Sequence, residues 1–124
     1  MIFADTDVLI DFLARREPAA TSVAQALNRQ ELATTTVTRY ELLAGARTPQ
    51  EKASIMSFLD ALQVEPLDPG SADRAADIFR TLETSGKRIE TGDCLIAGIV
   101  LHHHGTLLTR NRRHFERIEG LTLV

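Results

Sequence analysis

Ile2-Phe3-Ala4-Asp5-Thr6-Asp7-Val8-Leu9-Ile10 decides how this chain is read. Three apolar residues predict a short buried strand. Two carboxylates follow with a hydroxyl between them, and then an apolar run resumes. Asp7 is placed to cap a helix running to Leu13. In open parallel α/β sheets, ligands bind just beyond the carboxyl ends of strands. Asp5 stands at such an end, where a carboxylate is a metal ligand, a nucleophile or a structural cap.

Outward from this stretch, short strands and amphipathic helices alternate. Pro18 suits the opening of a second helix, in which Ala20, Val23, Ala24 and Leu27 recur at helical spacing. Glu31 to Thr34 reads as a strand. Thr35-Thr36 offers N-cap hydroxyls for a helix from Val37 to about Ala46 that carries Glu41. Thr48-Pro49-Gln50-Glu51 is a capping box before a stripe of Ile55, Met56, Leu59 and Leu62. Val64 to Leu67 is extended, and Asp68-Pro69-Gly70-Ser71 is a turn and cap. Ala72, Ala75, Ala76, Phe79 and Leu82 mark the next helix, which Gly86 stops. Asp93 caps or opens the most apolar helix, with Leu95, Ile96, Ile99 and Val100 expected inside and Gly105 as its C′ residue. Thr106 to Thr109 and Leu121 to Val124 are the remaining strands. The alternation predicts an α/β fold: a three-layer sandwich with a short central parallel sheet of four or five strands between helices.

Length and composition bound the function. A chain of 124 residues predicts one domain spanning 1–124. A single cysteine, Cys94, excludes an internal disulfide and fits a reducing compartment, so a cytoplasmic location is expected. No basic flank precedes an apolar h-region, so no signal peptide is expected. The longest apolar run, Leu95 to Leu101, is far short of a membrane span. A net charge of −3 argues mildly against tight non-specific nucleic-acid binding.

Asp5, Glu41 and Asp93 occupy comparable places, each at or just after a strand end or at a helix start. Right-handed crossovers bring such ends to one edge of a sheet. Carboxylates brought to about 4 Å repel by about 4 kcal/mol per pair at an effective dielectric of 20. A divalent cation relieves this, and hard oxygen ligands in an open site suit Mg²⁺ or Mn²⁺ rather than Zn²⁺. Taken singly, Asp5 and Asp93 read equally well as helix caps and Glu41 as a solvated helix residue. Spacing alone does not decide between these readings.

The motifs resemble a known family, the PIN-domain nucleases, and among them the VapC-type toxins of toxin–antitoxin pairs. Ala4 to Ile10 looks like the family's opening motif, Arg39-Tyr40-Glu41-Leu42-Leu43-Ala44-Gly45 its second, Gly92-Asp93-Cys94-Leu95-Ile96-Ala97 its third, and Thr109-Arg110-Asn111-Arg112-Arg113-His114-Phe115 its fourth. The resemblance covers nearly the whole chain. It implies that Asp5, Glu41 and Asp93 hold Mg²⁺ or Mn²⁺ and activate water to cut single-stranded RNA. It also implies a homodimer and a VapB-like antitoxin whose tail blocks the acidic pocket with a basic side chain. The fourth motif departs from the pattern. Many relatives carry an aspartate where His114 stands, and others an acid where Asn111 stands. Asn111, close to a strand end, is the preferred fourth member of the catalytic set, with His114 as the alternative. Thr6, Thr109, Arg110, Arg112 and Arg113 are the substrate-binding candidates.

Other features have plainer readings. His102-His103-His104 project in different directions from a helix end, and cations are favourable there. Cys94 reads as a small buried residue. Tyr40 is suited to stacking on a base or to core packing. A receiver domain or an aspartyl phosphatase would share the early acid pair, but both expect a lysine near the last strands, and the last lysine here is Lys87. A catalytically weak PIN fold that only binds RNA or a partner is the remaining alternative.

Overall fold

In the computed structural model, which describes residues 1–124, the centre of the sheet is a strand of three residues, β1 (Ile2–Ala4). It is followed by α1 (Thr6–Leu13), α2 (Ala19–Asn28), β2 (Leu32–Thr35), α3 (Thr36–Ala44), α4 (Pro49–Asp60) and β3 (Gln63–Glu65). The second half contains α5 (Pro69–Thr84), α6 (Thr91–His102), β4 (Thr106–Leu108), the single turn α7 (Arg112–Phe115) and β5 (Thr122–Leu123). The five strands lie in the order β3-β2-β1-β4-β5, and every pairing is parallel. The chain therefore builds outward from β1 on one side, then returns to place β4 against its other side. That reversal leaves a crevice between the carboxyl ends of β1 and β4, the place where doubly wound sheets bind ligands.

Strand alternation sorts side chains into two cores. Phe3 and Ala33 face one way and pack with Ile78, Leu82, Ile96, Ile99, Val100, Leu107 and Phe115. Ala4 and Leu32 face the other way and join Val8, Leu9, Val23, Leu42 and Leu59. A period of two thus makes a short strand the shared wall of both cores. The expected sandwich is present, with five strands.

Several boundaries differ from the sequence reading. Asp5, not Asp7, is the N-cap of α1, its Oδ1 accepting from the Thr6 N–H at 2.8 Å, and Asp7 lies in the first turn. Both positions suit an acid because the helix N-terminus favours negative charge throughout its first turn. Glu90, not Asp93, precedes the first residue of α6. Gly105 is not the left-handed residue after α6, since His104 takes that conformation at φ 54°. Glycine is needed at 105 because a Cβ there would stand 2.5 Å from the Phe3 ring. Leu95 is only half-buried, and of the α4 stripe only Leu59 is buried. Thr35 caps α3 and Thr48 caps α4, each through its hydroxyl, as their sequence positions suggest.

Candidate active site

Each acid reaches the crevice by a different route. β1 ends at Ala4, and the Asp5 N–H is paired with the Leu108 carbonyl of β4, so Asp5 is fixed between the two strands. The residue is 5% exposed. Oδ1 caps α1, and Oδ2 accepts from the Thr109 hydroxyl at 2.7 Å. Thr109 follows β4 and also accepts the Asn111 N–H at 2.9 Å, which shapes the turn after the strand. Glu41 comes from α3, and its Oε1 accepts from the Thr6 hydroxyl at 2.6 Å. Gly92 permits the approach of α6, since a Cβ there would be 3.3 Å from Glu41 Oε2. Asp93, in the first turn of α6, accepts at Oδ2 from the Asn111 amide at 3.4 Å and lies 3.9 Å from His114 Nδ1. The same amide nitrogen is 2.8 Å from His114 Nδ1.

Burial first, and neighbouring acids second, raise the proton affinity of Asp5 and Asp93. Burial pushes the Asp5 carboxyl up to about 7 from an ordinary 3.8, and the charges of Asp7 and Asp93 add to this against the opposing bonds from Thr109 and Thr6. Asp93 is also raised, by burial first and then by Glu90, with His114 opposing and Glu41 and Asp7 contributing further. Burial and the neighbouring Asp93 charge push the Cys94 thiol up, which disfavours the thiolate that a nucleophile requires.

No three His, Cys, Asp or Glu side chains stand at the spacing of a ready-made metal site. The acids are engaged instead by Thr6, Thr109 and Asn111. The donor set still suits a hard divalent cation. It consists of carboxylate oxygens whose mutual repulsion such an ion relieves.

A family model described as the PIN domain matches residues 2–121. The chain belongs to the PIN-domain family. Among curated proteins it is similar to Ribonuclease VapC10 of Mycobacterium tuberculosis, 35% identical over 121 residues, 98% of this chain and 90% of that protein. It is 30% identical over 121 residues to the tRNA(fMet)-specific endonuclease VapC of Shigella flexneri, covering 94% of this chain and 91% of that one. Among solved structures, DNA-bound VapBC from Salmonella typhimurium superposes with a TM-score of 0.87 at 23% identity, over 99% of this chain and 96% of that chain. These likenesses place this PIN domain with the VapC type.

Within this PIN domain the remaining sequence-derived residues divide. Thr6 reaches the site, but its hydroxyl serves Glu41. Thr109 serves Asp5. Arg110 lies at the rim, its Nε 3.0 Å from Asp11 Oδ2 and 3.9 Å from Asp7 Oδ2. Arg112 turns away and donates to the Val124 carbonyl at 2.7 Å, with Glu116 beside it. Arg113 is exposed. Tyr40 is 71% exposed, so core packing is not its role. His102 and His103 stand 3.6 Å from Asp68 and 3.5 Å from Glu65, which makes them separate pairs on another part of the fold. Sequence reading passed over Thr38, buried one turn before Glu41, whose hydroxyl joins Thr6 to Thr35 at 3.2 and 3.3 Å. The i, i+3 spacing to Glu41 was the available signal.

Proposed function

We propose that this PIN domain is a VapC-like, metal-dependent endoribonuclease that hydrolyses phosphodiester bonds of single-stranded RNA. The observation that carries this reading is the position of Asp5. A buried carboxylate at the topological switch point, with Asp93 and Glu41 brought to the same crevice, is a site built for a cation and an anionic substrate. The names of the relatives, ribonuclease and tRNA endonuclease, agree with it.

Asp5, Glu41 and Asp93 would hold Mg²⁺ or Mn²⁺ through hard oxygen donors. When bound there, such an ion would supply a water of lowered proton affinity and polarisation of a phosphoryl oxygen. The chain's own contribution is orientation. Thr109 and the Thr6 N–H fix both oxygens of Asp5, and the Thr6 hydroxyl fixes one oxygen of Glu41. Asn111, tied to Thr109 through its N–H, turns its amide nitrogen toward Asp93, so its neutral oxygen would meet an ion once the amide rotates. The Arg110 guanidinium supplies positive charge at the rim, where an RNA backbone enters.

The partner is a VapB-like antitoxin that closes the acidic crevice with a basic side chain. Among the structural neighbours are VapBC toxin–antitoxin complexes. A homodimer acting in the cytoplasm completes the reading. No helix is long and apolar enough to cross a membrane. The large apolar side chains left exposed on α1 and α3, Ile10, Leu13 and Tyr40, mark where a protein partner is to be sought, whereas Leu59 and Leu82 are spent in the cores. The test is fragment mapping of RNA treated with purified protein, with and without Mg²⁺ or Mn²⁺. Discrete metal-dependent cuts are expected. RNA binding without cleavage in either metal would favour a binding module instead.

A further inference from the structure

Asp11 is a buried carboxylate that the proposed chemistry does not use. It lies on α1 one turn beyond Asp7 and is 5% exposed. Its Oδ2 meets Arg110 Nε at 3.0 Å. Its Oδ1 is buried without a hydrogen-bond partner, and the nearest cation to it is Arg16 at 3.7 Å. A buried charge is retained only where a partner compensates it, and Arg110 is the closer of the two. Arg110 in turn sits between two site residues. Thr109 bonds Asp5, and Asn111 bonds Asp93. The contact uses the inner, Nε side of the guanidinium, while 58% of the side chain remains open to solvent.

We propose that Asp11 is a positioning residue that holds Arg110 through an ion pair at its Nε, so that the open edge of the guanidinium binds one phosphate of the RNA beside the acidic crevice. This rests on the RNA-directed reading above. The geometry suits the task. Arginine binds phosphate through planar, forked donors, and holding the guanidinium from one side in advance reduces the side-chain freedom lost on binding. Asp11 also keeps the guanidinium on the α1 side, next to Asp7 at 3.9 Å. There it does not neutralise Asp5 and Asp93, which the metal requires.

The experiment is a double-mutant cycle of Asp11→Asn, Arg110→Gln and the double variant in the full chain. Binding of a labelled single-stranded RNA is measured across a salt series, with Ca²⁺ replacing Mg²⁺ so that the acids are neutralised. KM and kcat are measured separately with Mg²⁺. Arg110→Gln is expected to weaken binding about tenfold and to flatten the log–log salt dependence by about 0.7, the share of one phosphate on a single strand. Asp11→Asn is expected to weaken binding severalfold through KM, and to add nothing in the Arg110→Gln background. Additive effects of the two changes, or wild-type affinity in Asp11→Asn, overturn the proposal. Arg110→Lys serves if Asp11→Asn does not fold, because it keeps the charge and removes the planar guanidinium that Asp11 holds from one side. Lost affinity with the salt dependence retained is expected, and unchanged affinity overturns the assignment. A wild-type chain that shows this cycle in binding but never cuts RNA refutes the ribonuclease reading and leaves the role of Asp11 standing. A wild-type chain that binds no RNA refutes the role of Asp11.

Discussion

Replacing Asp5 by asparagine should stabilise the metal-free protein, and by an amount that depends on pH. In the folded state the carboxyl is pushed up to about 7 from 3.8, by burial first and then by Asp7 and Asp93. A group raised on folding stabilises the fold fully only below its unfolded value, and that contribution is lost as pH rises through the folded value. At pH 8.5 the ionised Asp5 therefore costs about 4 kcal/mol, at about 1.4 kcal/mol per pH unit of displacement. At pH 5, where the folded carboxyl is largely protonated, the cost falls to about a third of that. Asparagine removes the charge but keeps only one acceptor for the two bonds now made to the Thr6 N–H and the Thr109 hydroxyl, a loss of about 1 kcal/mol. Allowing for relaxation around the buried charge, the net gain is about 1–3 kcal/mol at pH 8.5 and close to zero at pH 5. For a chain of this length that is roughly 4–12 °C in Tm at the higher pH. Calorimetric or circular-dichroism melts in EDTA at the two pH values measure it. A variant less stable than wild type at pH 8.5, or one whose gain does not change with pH, would refute the reasoning that Asp5 is a repelled carboxylate. Adding Mg²⁺ should raise the Tm of the wild type and leave the variant nearly unmoved.

Asp93→Asn should abolish RNA cleavage with little loss of stability, because its carboxyl too is held above its usual range by burial and Glu90; fragment mapping alongside a melt checks both halves. EDTA should stop cleavage by the wild type, and full activity in the chelator would remove the metal from the mechanism. Asn111→Asp should tighten Mn²⁺ binding in calorimetry and Asn111→Ala should weaken it; if both leave affinity unchanged while His114→Ala lowers it, His114 completes the site. Gly105→Ala should destabilise the fold by about 1–3 kcal/mol, as overpacking of a tight core does, because its Cβ would stand 2.5 Å from the Phe3 ring; a denaturant midpoint equal to wild type would contradict that contact.

What the sequence disclosed, and what it withheld, follows the range of the interactions involved. Strand–helix alternation and the caps at Thr35, Thr48 and Asp68 are local, written within four residues, and the structure repeats them. Asp5 also looks like a strand-end acid from its immediate neighbours, though its role as the cap of α1 was misplaced onto Asp7. Both residues satisfy the same local rule, and only the pairing of the Asp5 N–H with Leu108 fixes where the strand stops. Gly105 shows the same limit. Its position after a helix suggested a left-handed turn, whereas its reason lies in the Phe3 ring on β1, 102 residues away in sequence. The hydroxyls were the least legible. Thr6 reads as a substrate contact until α3 is folded against α1, when its hydroxyl is seen to be taken by Glu41. Arg112 reads as a phosphate contact until β5 is in place, when its guanidinium is found on the Val124 carbonyl. The acidic residues announce a chemistry only through the four motifs taken in order, since singly each reads as well as a helix cap or a solvated residue. The threonines and arginines around them have many uses, and only the tertiary fold chooses among these. Asp11 and Arg110 belong to that second group. They are 99 residues apart and meet at 3.0 Å, so the anchoring of the rim arginine becomes visible only once β4 has been laid beside β1.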